Sequence, residues 1–145
     1  MERGMARLLI AVDGSPPSLR ALEYGASLAA KLGVGVLLLH AMPRVVLPLG
    51  GMTPASLAEL LHTQEAEGKR LLAALADKAH PHGVEVETEL GVGDAAAVIA
   101  ERAEAADIQL VVMGSRGQGA VARLLLGSVA TQVVHTATKP VVVVR

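Results

Sequence analysis

Two stretches of this chain have the residue types to hold a phosphorylated ligand. One runs Val111-Val112-Met113-Gly114-Ser115-Arg116-Gly117, and nine residues later comes Gly127-Ser128-Val129. The other is Ile10-Ala11-Val12-Asp13-Gly14-Ser15. In the first, a buried apolar run feeds a glycine loop, and a second glycine opens a helix. Glycine lets main chain approach an anion closely, and a helix N-terminus adds unpaired N–H donors and the positive end of its dipole. The spacing therefore reads as a phosphate cradle built from backbone. It is not a Walker A loop, which needs Lys-Ser or Lys-Thr after its last glycine; here Gly127 is followed by Ser128-Val129. It is not the G-x-G-x-x-G dinucleotide fingerprint either. Taken alone, such glycines also mark ordinary tight turns.

In the second stretch, Asp13 stands where an apolar run stops. A carboxylate there can accept hydrogen bonds from a ribose, hold a divalent ion through water, or cap the helix that follows. Backbone groups of Ala11 and Ala41 can read an adenine edge, or be ordinary strand ends. Arg116 and Arg123 can add positive charge near phosphates, or be solvated loop residues. A side chain at 127 is expected to fill the phosphate space and leave the fold intact.

Composition narrows the partners. Formal net charge is −1 and no basic run stands out, so nucleic acid is not expected. There is no Phe, no Trp and one Tyr, so any base must lie among aliphatic groups and be read by main-chain hydrogen bonds. Cysteine is absent, which removes disulfides, thiolate metal sites and a cysteine nucleophile, and fits a reducing cytoplasm. Mean hydropathy is high at +0.47, yet no apolar run approaches the roughly 18 residues of a membrane span. Leu8–Val12 is too short for a signal sequence. Five histidines are scattered. Only His80 and His82 are close, and their spacing is no recognised ligand pair, so no metal site is expected from the protein alone. His40 reads as a strand-end residue rather than a base.

Short apolar runs alternate with helical segments. Strands are expected at Leu8–Val12, Val34–His40, Val84–Glu89, Ile108–Met113 and Val141–Val144. Ser15-Pro16 and Thr53-Pro54 each combine an N-cap with proline at the first helical position. The first helix, with a stripe of Leu19, Leu22, Ala26, Ala29 and Ala30, stops at Gly33. The second, from Thr53 to about His80, carries Leu57, Leu60, Leu61, Gln64, Gly68, Leu71, Leu72, Leu75 and Ala79 on one side. Gly68 inside it predicts close packing, and Glu65–Lys69 a favourable i,i+4 pair. Asp94 caps a third helix ending near Ala106, and a fourth runs from about Ser128 to Thr136. The order β-α-β-α-β-α-β-α-β with right-handed crossovers makes one doubly wound open parallel sheet over residues 1–145, helices on both faces. Such sheets bind ligands at the carboxyl ends of their strands. The apolar loop Val45–Met52 reads as a hinged lid, a partner-facing patch, or a loop folded on its own domain.

Four blocks in order, Ile10–Ser15, Leu38-Leu39-His40-Ala41, Leu110–Gly117 and Lys139–Val144, together with Gly127-Ser128, resemble the universal stress protein family. The Gly114-x-x-Gly117, nine residues, Gly127-Ser128 pattern is similar to the motif of its ATP-binding members. The resemblance implies strand order 3-2-1-4-5 and ATP as ligand, with or without Mg2+ or Mn2+. It implies an adenine contact at Ala41, a ribose contact at Asp13, and phosphate contacts from Gly114, Gly117, Gly127, Ser128 and Val129, with Met113 and Ala11 lining base and sugar. It also implies a homodimer, for which an edge strand Val141–Val144 would offer an open side. The function so implied is a cytoplasmic, ATP-dependent regulatory switch with at most slow hydrolysis, since no general base is evident. An unidentified protein partner would read its surface. The alternative is an adenine-nucleotide α-phosphate hydrolase or ligase-type enzyme of related fold, whose Ser-Gly-Gly-x-Asp-Ser loop is absent here.

Overall fold

The computed structural model describes residues 6–44, 51–116 and 126–145. Its five strands are β1 (Arg7–Ala11), β2 (Gly35–Met42), β3 (Val86–Val92), β4 (Ile108–Gly114) and β5 (Val141–Val144). The four α-helices are α1 (Pro16–Leu32), α2 (Pro54–Ala79), α3 (Ala95–Ala103) and α4 (Ser128–Thr136). The strands form one sheet in the order β3-β2-β1-β4-β5, every pair parallel. This is the expected doubly wound topology.

The central strands β1, β2 and β4 are largely apolar on both faces because helices cover both. Side chains alternate along β1: Leu8, Ile10 and Val12 pack under α1 and α2, while Leu9 and Ala11 pack under α3 and α4. Close approach is achieved with small residues. A Cβ on Gly25 of α1 would lie 2.6 Å from Ile10 Cδ1, and one on Gly68 of α2 would lie 2.8 Å from Leu90 Cδ1. The second contact bears out the packing expected at Gly68. The Lys69–Glu65 pair also forms, at 3.7 Å.

Several boundaries move, each for a reason in the pairing. β2 runs on to Met42 because it pairs with β3 as far as Met42–Val92. β3 starts at Val86, leaving Val84 as a buried residue of the core before the strand. α3 stops at Ala103, and the carbonyls of Ala103, Ala105 and Ile108 all accept from Lys139 Nζ at 2.7–3.0 Å. Ala30 is exposed rather than part of the α1 stripe. The core takes α2 only from Gly68 onward; Leu57, Leu60 and Gln64 are half-buried and Leu61 is exposed. The four valines of β5 are half-buried, as befits an outer strand rather than a central one. The Val45–Met52 loop lies outside the described residues up to Gly50.

Candidate functional site

The carboxyl ends of β1, β2 and β4 adjoin one another at the centre of the sheet, where the strand order reverses between β1 and β4. The β1–α1 turn is fixed by its own side chains. Asp13 Oδ1 accepts from Ser15 N at 2.9 Å, and Ser18 Oγ accepts from both Asp13 N and Gly14 N at 3.2 and 3.1 Å. Gly14 has φ +83°, a conformation that favours glycine, and Leu71 of α2 closes over it. The N-cap of α1 is Ser15, whose side chain accepts from Ser18 N. Asp13 therefore anchors the turn without being the cap, and its carboxylate is held at the end of β1.

Ala11 and Met113 point to the α3–α4 face of the two central strands and are buried. Ala41 lies two residues beyond Leu39, whose carbonyl accepts from Val12 N at 2.9 Å. Groups two apart on a strand face the same way. The Ala41 N–H and C=O thus face the β1 side, past the level where β1 ends, while Met42 O turns the other way to accept from Gly93 N. His40 Nδ1 sits 2.8 Å from Val12 O, tying β2 to the end of β1, which suits a strand-end role.

The two glycines of the cradle are glycines for different reasons. A Cβ on Gly114 would lie 2.8 Å from the Pro17 carbonyl carbon and 2.9 Å from its oxygen, so the first turn of α1 excludes any side chain there. Gly127 has an ordinary φ of −67°. Its Cβ would stand 3.2 Å from Arg116 Cα and 3.3 Å from Ser115 O. The expectation that a side chain at 127 would disturb only ligand space is corrected by this: it would also press on the 115–116 backbone. Gly127 N donates to Ser115 O at 2.7 Å, and Ser115 N donates to Val144 O at 2.8 Å. Gly117 and Arg123 lie outside the described residues. Arg116 is half-buried, and its Nε is buried with no hydrogen-bond partner among the described residues.

The N-termini of the helices differ in one respect. Ser15, Thr53 and Asp94 each give a side-chain oxygen to an N–H of the first turn of α1, α2 and α3. α4 begins at Gly127 with no side-chain cap. Its first-turn amides, at exposed Ser128, half-buried Val129 and buried Ala130, lack that acceptor. Thr131 reaches back to the Gly127 carbonyl through both N–H and Oγ1, at 3.0 and 2.9 Å, which holds the turn in shape. A separate groove of about 570 Å³ between α3 and α4 is lined by Asp94, Ala97, Ala100, Thr131 and His135 among others, and by none of Ala11, Asp13, Ala41, Met113, Gly114, Gly127, Ser128 and Val129.

Sequence reasoning missed three positioning groups. Ser18 stands three residues after the cap Ser15, a spacing that could have drawn attention to it. Lys139, a lone cation before the last strand, organises three carbonyls that sequence does not bring together. Arg44 follows β2, and its guanidinium lies beside Gly93.

The fold is that of a doubly wound parallel α/β protein in which the carboxyl ends of β1, β2 and β4 adjoin at the topological switch point. Residues 5–145 match the model of the universal stress protein family, and the chain belongs to that family. It is 30% identical to universal stress protein YxiE of Bacillus subtilis, covering 96% of this chain and 98% of that one. The universal stress protein UspA structure from Lactobacillus plantarum superposes with a TM-score of 0.82 at 24% identity, over 97% of each chain, and shows the shared fold. The universal stress protein of Archaeoglobus fulgidus in complex with dAMP is 26% identical, with a TM-score of 0.67 over 97% of this chain and 98% of that one.

Proposed function

We propose that this protein binds adenine nucleotides, ATP foremost, with its phosphates on the first-turn amides of α4, its ribose by Asp13 and its base against Ala41. The observation that carries the reading is the uncapped N-terminus of α4, tied through Gly127 N to Ser115 O at the end of β4. The dAMP complex of the Archaeoglobus fulgidus relative supports it. So does the lateral order of the groups. Ala41 is on β2, Asp13 ends β1, and Gly114 ends β4, in the sequence base, sugar, phosphate.

The energies fit. Hydrogen bonds to a charged acceptor contribute roughly 1.5–3 kcal/mol each. Four donors supply about 6–12 kcal/mol before ordering costs, and micromolar affinity needs about 8 kcal/mol. A P-loop lysine is not required. Mg2+ or Mn2+ bound to the phosphates would add charge neutralisation, and Asp13 is the carboxylate placed to hold it through water.

The Gly114, Gly117 and Gly127-Ser128 pattern is similar to the motif of the family's ATP-binding members and supports reading ATP as the ligand. Occupancy would change a surface that a partner protein reads, making the protein a nucleotide-dependent switch with at most slow hydrolysis, acting in the cytoplasm. β5 is an outer strand, and its open side supports a homodimer formed by antiparallel pairing of Val141–Val144. Mass spectrometry of small molecules released from the purified, denatured protein tests the ligand. ATP at near-stoichiometric amount is expected; another metabolite in that place would refute the assignment.

A further inference from the structure

The groove between α3 and α4 has no part in the nucleotide reading. Its floor is made of small side chains: Ala96 is buried in the core, and Ala97 and Ala100 line the groove beside it. The α3 wall carries three exposed carboxylates, Asp94, Glu101 and Glu104. Asp94, Ala97, Glu101 and Glu104 follow one another at steps of three, four and three, so they form one stripe along the helix. At 1.5 Å of rise per residue that stripe is about 15 Å long. The α4 wall, formed by Thr131, Gln132, His135 and Thr136, brings no lysine or arginine.

No cation among the described residues neutralises the stripe. Arg102 of α3 is engaged elsewhere: its Nε donates to both carboxylate oxygens of Glu89 at 3.0 Å, and its Nη1 lies 3.9 Å from Asp107 Oδ1. Lys139 Nζ is spent on the carbonyls of Ala103, Ala105 and Ile108. Asp94, Glu101 and Glu104 make no ion pair among the described residues. Asp94 and Glu104 accept only neutral hydrogen bonds, from Ala97 N and Thr138 Oγ1, so each keeps its charge. The occupant that complements this wall is cationic. Shape decides its size. Most of the lining residues are exposed and Ala96 alone among them is buried, whereas small-molecule sites bury about 70–90% of their ligand. A helix laid along the trough touches its whole length, and alanines at 97 and 100 let the helix axes come close.

We propose that the α3–α4 groove docks a basic, alanine-rich helix of a partner protein, whose lysines or arginines at i, i+7 and i+10, or the same steps reversed, pair with Asp94, Glu101 and Glu104. A second copy of this chain does not supply the match. Among the described helices, α1 carries Arg20 and Lys31, α2 carries Lys69, Arg70 and Lys78, α3 carries Arg102 and α4 has no lysine or arginine, and none has cations at those steps. The proposal stands apart from the nucleotide reading, because the groove is lined by none of the residues assigned to the nucleotide. Exposed ion pairs are weak and screened by salt, so docking is of the transient, salt-sensitive kind.

Backbone amide NMR of the labelled full chain tests this, with an alanine-based helical peptide bearing lysines at i, i+7 and i+10 as the probe and its glutamate counterpart as the control. The lysine peptide is expected to give saturable shifts at Ala97, Ala100, Thr131 and His135, and the glutamate peptide none. Glu101→Lys, which turns an attraction into a repulsion, should weaken binding about tenfold. Ala97→Leu keeps every charge, fills the floor at an exposed position, and should also weaken binding; circular dichroism checks that both variants remain folded. Affinity should fall as salt is raised. Silence of the groove amides at millimolar lysine peptide, or equal binding of the glutamate peptide, overturns the proposal. Spermine shifting the same amides with equal affinity would make the groove a small-cation site and overturn helix docking. Shifts at those amides on concentrating the protein alone would make the occupant a second copy and overturn it too.

Discussion

Gly127 donates its N–H to the carbonyl of Ser115 across 2.7 Å, joining the start of α4 to the end of β4. That bond ties the α4 N-terminus to the end of β4, one of the two strands that flank the switch point. It also fixes the meaning of the glycine. A Cβ there would stand 3.2–3.3 Å from Arg116 Cα and Ser115 O, so a side chain fits only if the 115–116 backbone gives way.

Gly127→Ala should therefore weaken ATP binding at least tenfold and lower stability by about 1–2 kcal/mol, the usual range for overpacking. Calorimetric titration and urea denaturation read the two effects. A variant that loses neither would show that the 115–116 backbone yields freely and that the cradle does not need glycine.

Gly114→Ala should act differently. The added methyl would meet the Pro17 backbone at 2.8–2.9 Å, which no rotamer change can relieve. A loss of about 2–3 kcal/mol in urea denaturation is expected. Ligand binding should weaken only as far as α1 is displaced. Unchanged stability would contradict the packing reason given for this glycine.

Much of this was legible from residue order. The caps Ser15, Thr53 and Asp94, the stop at Gly33 and the close contact at Gly68 follow from local chemistry, because each works within one turn of its own element or through absence of a side chain. The strand order follows from the family resemblance and agrees. What sequence did not give depends on long-range register. The extension of β2 to Met42 is set by pairing with β3, and that extension is what turns the Ala41 backbone into the crevice. The three carbonyls on Lys139 come from two segments more than thirty residues away. Gly114 was read as a phosphate contact alone, since the proximity of Pro17 is invisible without the fold.

Lys139→Met keeps the aliphatic stem and deletes three charge-assisted bonds to the carbonyls of Ala103, Ala105 and Ile108. Stability should fall by about 2–3 kcal/mol, since bonds to charged groups contribute roughly 1.5–3 kcal/mol and partial rehydration returns some of the loss. Hydrogen exchange should quicken first at the C-terminal turn of α3. Uniform exchange across the sheet would argue against a local clamp.

Acid stability tests the cluster at the amino end of the sheet. Burial by itself would raise the Asp107 carboxyl, but hydrogen bonding and charge from Arg7, its own backbone N–H and the Arg102 charge hold it below its ordinary value of 3.8. Arg7 Nε donates to Asp107 Oδ2 at 2.8 Å and also pairs with Glu87. A carboxylate depressed in the folded state stabilises the protein above its unfolded pKa and ceases to do so as pH falls through the folded value. Wild-type stability should thus drop below about pH 4. Asp107→Asn should be less stable than wild type at pH 7, and the gap should narrow toward pH 2. A gap that is constant with pH would remove Asp107 from the acid response.

The central claim is that main-chain amides at the start of α4 grip the phosphates of an adenine nucleotide. Backbone amide NMR of the labelled protein, titrated with ATP, addresses it directly. The account predicts saturable shifts at Ser128, Val129, Ala130 and Ala41 with micromolar affinity, and little change at Ala95–Ala97, where Asp94 already caps the helix. Silence of the α4 amides at millimolar ATP, or shifts confined to the α3–α4 groove, would contradict it.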